Sequence, residues 1–184
     1  MTKTLNTVKA GITMKQRQRG FSLIELIVVV AIVGLIAAAV ISRSASTSQS
    51  TQVQTESQNL QSISAKAKSV FAGRPNFNGA TTAYMLANGA FPTSMVDGAN
   101  VRHSWNGNVT VAPGANPTTL DITYAAVPTA ACIEFVSSQS RPYVEVTVAG
   151  NPVKNGAQVA DTAATQAACE GAATVDVVFN TAAQ

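Results

Sequence analysis

The stretch Arg19-Gly20-Phe21-Ser22-Leu23-Ile24-Glu25-Leu26-Ile27-Val28-Val29-Val30 is a boundary between two kinds of chain. Before it, Lys3, Lys9, Lys15, Arg17 and Arg19 place five cations in nineteen residues, with no acid among them. After Gly20 an almost unbroken apolar run extends from Phe21 to Ile41. As a helix those 21 residues reach about 31 Å, enough to cross a hydrocarbon core. The basic flank favours a cytoplasmic N-terminus. Three readings fit: a secretory signal cut near Ala37-Ala38-Ala39, a plain membrane anchor, or a more specialised segment. Glu25 weighs against the first two. A carboxylate costs about 2.5–3.5 kcal/mol at a bilayer centre, less near its edge, and greasiness alone has no use for it.

Composition agrees with a chain divided in this way. Of 184 residues, 46% are apolar and only 11% charged, against about 25% charged in ordinary soluble domains. That excludes a nucleic-acid coat or a charged disordered tail. Aromatics are 5%, so the core must rest mainly on Val, Ile, Leu and Ala. The net charge of +3 belongs to the leader: without its five cations, seven cations face nine acids.

From Leu35 to Ala72 run 38 residues without Gly or Pro. Val53, Leu60, Ile63, Ala67 and Val70 recur at helical intervals, and Gly73 and Pro75 supply a stop. The spacing predicts one long helix over 21–72, apolar over 21–41 and amphipathic beyond. Serines between Ser42 and Thr51 lower helix propensity, and a flexible linker there is the alternative. After Gly73 come short apolar runs divided by Gly, Pro, Asn and Asp. Strands are expected at Asn108–Val111, Thr119–Ala125, Tyr143–Val148 and Thr174–Phe179. Helices are expected from Pro128 to Phe135 or Val136, and from an Asp161 cap through Cys169. The result is an α+β head over 73–184.

Gly20, Phe21 and Glu25 within an apolar run behind a basic leader resemble the processing site of type IV prepilins. The resemblance implies that a prepilin peptidase removes residues 1–20 by cutting after Gly20. It also implies that Phe21 becomes an N-methylated N-terminus and that Glu25 is the assembly carboxylate. Phe91-Pro92-Thr93-Ser94-Met95, Trp105-Asn106-Gly107 and Ile122-Thr123-Tyr124 leading to Pro128 and Cys132 are similar to type IVb major pilins, nearest to conjugative thin-pilus pilins. A first mature Phe, by contrast, is more usual in the type IVa branch. The implied fold is the pilin fold: a long N-terminal helix on a small, mostly antiparallel sheet, with a C-terminal disulfide region.

The implied function is structural: a subunit polymerised into a surface filament for adhesion, aggregation or mating contact, and not an enzyme. Implied partners are other subunits, the prepilin peptidase, an inner-membrane assembly platform with its ATPase, and a host or recipient cell surface. The subunit would be single-pass in the inner membrane before joining an extracellular pilus. Two rivals stand beside this: a type II secretion pseudopilin or minor pilin, and a secreted binding domain behind an ordinary signal peptide.

Cys132 and Cys169 are the only cysteines, and in an oxidising compartment an even pair is expected to bridge. Two sulfurs without a neighbouring His fall short of a zinc set, so no metal and no cofactor are expected. His103, the only histidine, reads as a surface or turn residue, and the head carboxylates as solvated. Contacts with other cells are assigned to exposed loops such as Ala149–Ala160. No nucleic-acid site is evident.

Cleavage after Gly20 requires a small residue beside the scissile bond. Gly20→Val should leave the precursor uncut and the cell without fibres, as intact mass and shearing will show. Normal cleavage of that variant, or a mature start near Val40, refutes the assignment.

Overall fold

The computed structural model describes residues 22–183, the side chains of 38–47 excepted. Two compact units share the chain, Met1–Arg43 and Ser44–Gln184. Helix α1 (Leu23–Val70) supplies residues to both. The helix runs unbroken through the serine-rich stretch, which contains neither Gly nor Pro to end it.

In the first unit every described side chain from Ser22 to Ala37 is exposed, including Leu23, Ile24, Leu26 and Ile27. Among the described residues no helix is long and apolar enough to cross a membrane. The apolar run of the sequence continues to Ile41, into positions whose side chains are not described.

The second unit adds α2 (Thr82–Ala87), the short strands β1 (Val96–Asp97) and β2 (Asn100–Val101), β3 (Val109–Pro113) and β4 (Thr119–Pro128). After these come α3 (Thr129–Gln139), β5 (Glu145–Val148), β6 (Asn151–Asn155), α4 (Thr162–Cys169) and β7 (Thr174–Ala182). Five strands form an antiparallel sheet in the order β3-β4-β7-β5-β6. Its centre is the β4–β7 pair, in register from Thr119↔Ala182 to Pro128↔Thr174 around a bulge.

Alternation explains the sheet. Leu120, Ile122 and Tyr124 of β4 and Val175, Val177 and Phe179 of β7 are buried, while the residues between them are more open. One face is therefore core and the other faces outward. Onto the core face α1 brings Val53, Leu60, Ile63, Ala67 and the following Phe71, all in one cluster with the sheet. Val70, expected in the stripe, is only partly buried. Rings interlock across the layers: Phe135 of α3 lies 5.1 Å from Tyr124 and 5.2 Å from Phe179.

Each outer edge of the sheet is tied at one residue. At β3 the Thr82 hydroxyl accepts from the Val111 N–H at 2.8 Å and donates to the Val111 carbonyl at 3.2 Å. At β6, Pro152 carries no N–H, and the Val153 carbonyl accepts from the Asp161 N–H at 2.9 Å.

Several boundaries move from the sequence reading. β4 and β7 run on to Pro128 and Ala182, and α3 to Gln139, with Pro128 as the residue before it. α2, β1, β2 and β6 were not expected. The supposed loop Ala149–Ala160 is half strand, because Asn151–Asn155 pairs with β5 across a tight turn at Ala149-Gly150. Asp161 does cap α4, its carboxylate accepting from the Ala164 N–H at 2.8 Å.

Cys132 of α3 and Cys169 of α4 form a disulfide, Cα atoms 5.9 Å apart, 37 residues apart in sequence. Closing a loop of that length stabilises by about 4 kcal/mol in the chain-entropy model. Cys132→Ser should lower the urea midpoint of detergent-solubilised protein by the equivalent of a few kcal/mol. An unchanged midpoint would show that packing of α3 and α4 alone holds the region.

Candidate functional site: the assembly segment and the α1 latch

Glu25 lies in the first turn of α1, exposed, among exposed apolar side chains. It makes no ion pair within the described residues, where Arg102–Asp97 at 3.3 Å is the only one. Gly20 and Phe21 lie outside the described residues. The structure thus places Glu25 on an open apolar helix. Of the residues expected to act as pairs, Cys132 and Cys169 meet.

The polar group that fixes α1 to the head was not anticipated. Glu56, on the buried face of α1, is 1% exposed. One carboxylate oxygen accepts from the Ser104 N–H at 2.8 Å and from the Ser104 hydroxyl. The other accepts from Asn59 Nδ2 at 3.2 Å. Three donors replace the lost water of a charge that would otherwise be very unfavourable inside a protein. Its signal was the seven-residue gap in the stripe between Val53 and Leu60: Glu56 and Ser57 fill the missing core positions.

His103 departs from its expected surface position and is buried, 4% exposed. Its Nδ1 accepts from the Trp105 N–H at 3.2 Å, which leaves the proton on Nε2, 2.7 Å from the Ala125 carbonyl. Its ring stacks on Tyr124 at 5.5 Å. Ala125 and Ala126 form the β4 bulge, with Ala126 at φ +58, and the Asp176 carboxylate accepts from the Ala126 N–H at 2.9 Å. The bulge is thus pinned from both sides. Gly107 is required here, because a Cβ would overlap both Ala125 O and His103 Nε2.

A second unexpected group is Lys154, buried in β6, whose ammonium donates to the carbonyls of Gly156 at 2.7 Å and of Tyr143. Burial lowers its pKa. Burial also pushes the Tyr143 hydroxyl pKa upward, opposed by a hydrogen bond with Ser64 of α1. No His, Cys, Asp or Glu cluster among the described residues is arranged to hold a metal ion.

A long N-terminal helix seated on one face of an antiparallel sheet, with a disulfide tying the C-terminal region, defines the type IV pilin fold, and this chain adopts it. It belongs to the PilS N-terminal family, which matches residues 50–182. The prokaryotic N-terminal methylation motif matches residues 15–41. Family and motif together make the chain a structural subunit of a type IV pilus. Among solved structures it is similar to the type IVb pilin from Salmonella typhi, at 22% identity and TM-score 0.55, over 70% of this chain and 99% of that one. It is also similar to TcpA, a type IV pilin from Vibrio cholerae El Tor biotype, at 16% identity and TM-score 0.54, over 72% and 99% of the two chains. At these identities the likeness is one of fold. No curated protein matches.

Burial lowers the His103 pKa below its ordinary value of 6.5, against the opposing pulls of the Ala125 hydrogen bond and the Glu56 charge. Between the lowered value and 6.5 the unfolded chain binds the proton more readily, so stability must rise with pH across that window. The head should be fully stable above pH 6.5 and weaken as pH falls through 6.5 toward the lowered value. His103→Gln should flatten that slope in urea midpoints of the detergent-solubilised protein. Equal slopes in the two proteins would remove His103 as the cause.

Proposed function

We propose that the peptidase cuts after Gly20, that Phe21 is N-methylated, and that the chain then polymerises through α1. The supporting observation is Glu25 in the first turn of an exposed apolar helix, inside the segment matched by the methylation motif. Cleavage creates an ammonium on Phe21, four residues before Glu25. In the growing fibre the Glu25 carboxylate of an incoming subunit pairs with the Phe21 ammonium of its neighbour. A charge that is unfavourable alone in lipid is thereby neutralised, and axial register is set. The apolar helices pass from lipid to a protein core of similar polarity, so the transfer needs little hydrophobic driving force.

Before assembly the subunit is single-pass in the inner membrane, N-terminus cytoplasmic, a reading that rests on the 21-residue apolar run behind the basic leader. The subunit is a substrate of the peptidase and of the assembly platform with its ATPase, and carries no catalytic activity of its own. Its heads form the outside of the fibre and meet host or recipient cells, in adhesion or in mating contact.

Glu25→Ala should leave insertion and cleavage intact, or easier, because a carboxylate leaves the apolar run. Polymerisation should fail or slow strongly, and Glu25→Asp should be intermediate. The comparison is processed subunit in membranes against subunit in sheared fibres. Wild-type fibre yield from Glu25→Ala overturns the pairing.

A further inference from the structure

A groove of about 570 Å³ lies in the head between α1 and α3. Its polar lining comes from Ser50, Thr51, Gln54 and Ser57 of α1 and Glu134, Ser138 and Gln139 of α3. Hydroxyl and amide groups, which both donate and accept, make up most of it. The Gln139 Oε1 already accepts from Gln61 Nε2 at 2.8 Å, and Glu134 is the one charged group. That carboxylate forms no ion pair among the described residues, and its hydrogen bond from the Ser50 hydroxyl is long, 3.5 Å. Ser57 is 7% exposed, and its hydroxyl has no hydrogen-bond partner among the described residues. A polar groove with an unneutralised carboxylate and an unsatisfied hydroxyl suits a cationic side chain.

The chain carries such a side chain on the same helix face. Ser50, Gln54, Ser57, Gln61 and Lys68 follow at intervals of four, three, four and seven residues, so they share one stripe of α1. Lys68 forms no ion pair among the described residues. Lys66 lies on the far side of the helix, and Arg74 is engaged 5.3 Å over the Phe71 ring. Eleven to eighteen residues separate Lys68 from the groove residues of α1, an axial distance of about 16–27 Å. Lys68 therefore cannot reach the groove of its own head, but it can reach that of a parallel copy displaced by this distance.

We infer that the groove is the socket for Lys68 of a second copy of this chain. The inference rests on the filament reading above and adds a head-to-head contact to it. The neighbour differs from the one that pairs with Glu25, because a four-residue offset there corresponds to only about 6 Å along the helix. One subunit thus presents a lysine at one end of the stripe and a carboxylate at the other, a head-to-tail contact that propagates.

Carbodiimide joins a carboxylate to an amine only where the two touch, and so tests the contact in purified native fibres. The expected result is a ladder of covalent oligomers containing a peptide that joins Glu134 to Lys68. Lys68→Arg, which keeps the charge but removes the amine, should abolish that peptide and leave the fibres. Lys68→Glu and Glu134→Lys should each lower fibre per processed subunit by about tenfold, the factor that 1.4 kcal/mol represents. The double exchange should restore it. Intact wild-type fibres without the Glu134–Lys68 peptide, or a double exchange no better than the single ones, overturns the socket while leaving the pilus reading in place. Absence of wild-type fibres overturns the pilus reading and the socket with it.

Discussion

The seating of residues 53–70 of α1, with Phe71 directly after them, on the core face of the sheet is the constraint on which the head depends. The sheet has one apolar face, built from β4 and β7, and that face must be covered. α3 covers part of it, and Val53, Leu60, Ile63, Ala67 and Phe71 belong to the same buried cluster. The helix that is exposed and largely apolar over residues 23–37 is also, in its second half, part of the head's interior. An apolar stripe alone would tolerate sliding by a turn. Glu56 does not, because its carboxylate is satisfied only where the Ser104 N–H and hydroxyl meet it. Burial sets that α1 is covered, and the latch sets its position.

The loop that carries Ser104 is itself held by the sheet. His103 ties it to the Ala125 carbonyl at the β4 bulge, and Asp176 holds the same bulge from β7. A continuous polar path therefore runs from α1 through residues 103–104 to the two central strands. Such networks are strong when every member is satisfied and weak points when one fails. Tyr124 sits beside this path, stacked on His103, with its hydroxyl buried and its pKa pushed well upward by burial.

What could be read from the sequence was whatever repeats. The stripe in α1 and the alternation in β4 and β7 are periodic, and periodicity survives without a three-dimensional frame. The paired cysteines and the Asp161 cap are short-range or countable features. The elements that escaped are those decided by distant partners. α2 exists beside β3 because Thr82 bonds both polar groups of Val111, 29 residues away. β6 contains Pro152 and a lysine, both poor strand signals, and is a strand because β5 pairs with it. His103 looked like a turn residue and does precede a turn. Its burial follows from a ring stacked on Tyr124, 21 positions on. Glu56 was hidden by the habit of reading charge as surface, although the gap in the stripe marked its place.

The ties at the sheet's edges bear on crowding. A fibre holds many identical folded heads side by side, the situation in which open strand edges template one another into irreversible aggregates. Thr82 at one margin, and Pro152 with Asp161 at the other, interrupt the row of backbone groups that a neighbour's strand would need. Encounters between heads then fall to side chains, whose contacts are individually weak and can be broken and remade. Order along the polymer is left to the helices, and a misplaced subunit stays correctable, because its head has not been stitched into another's sheet.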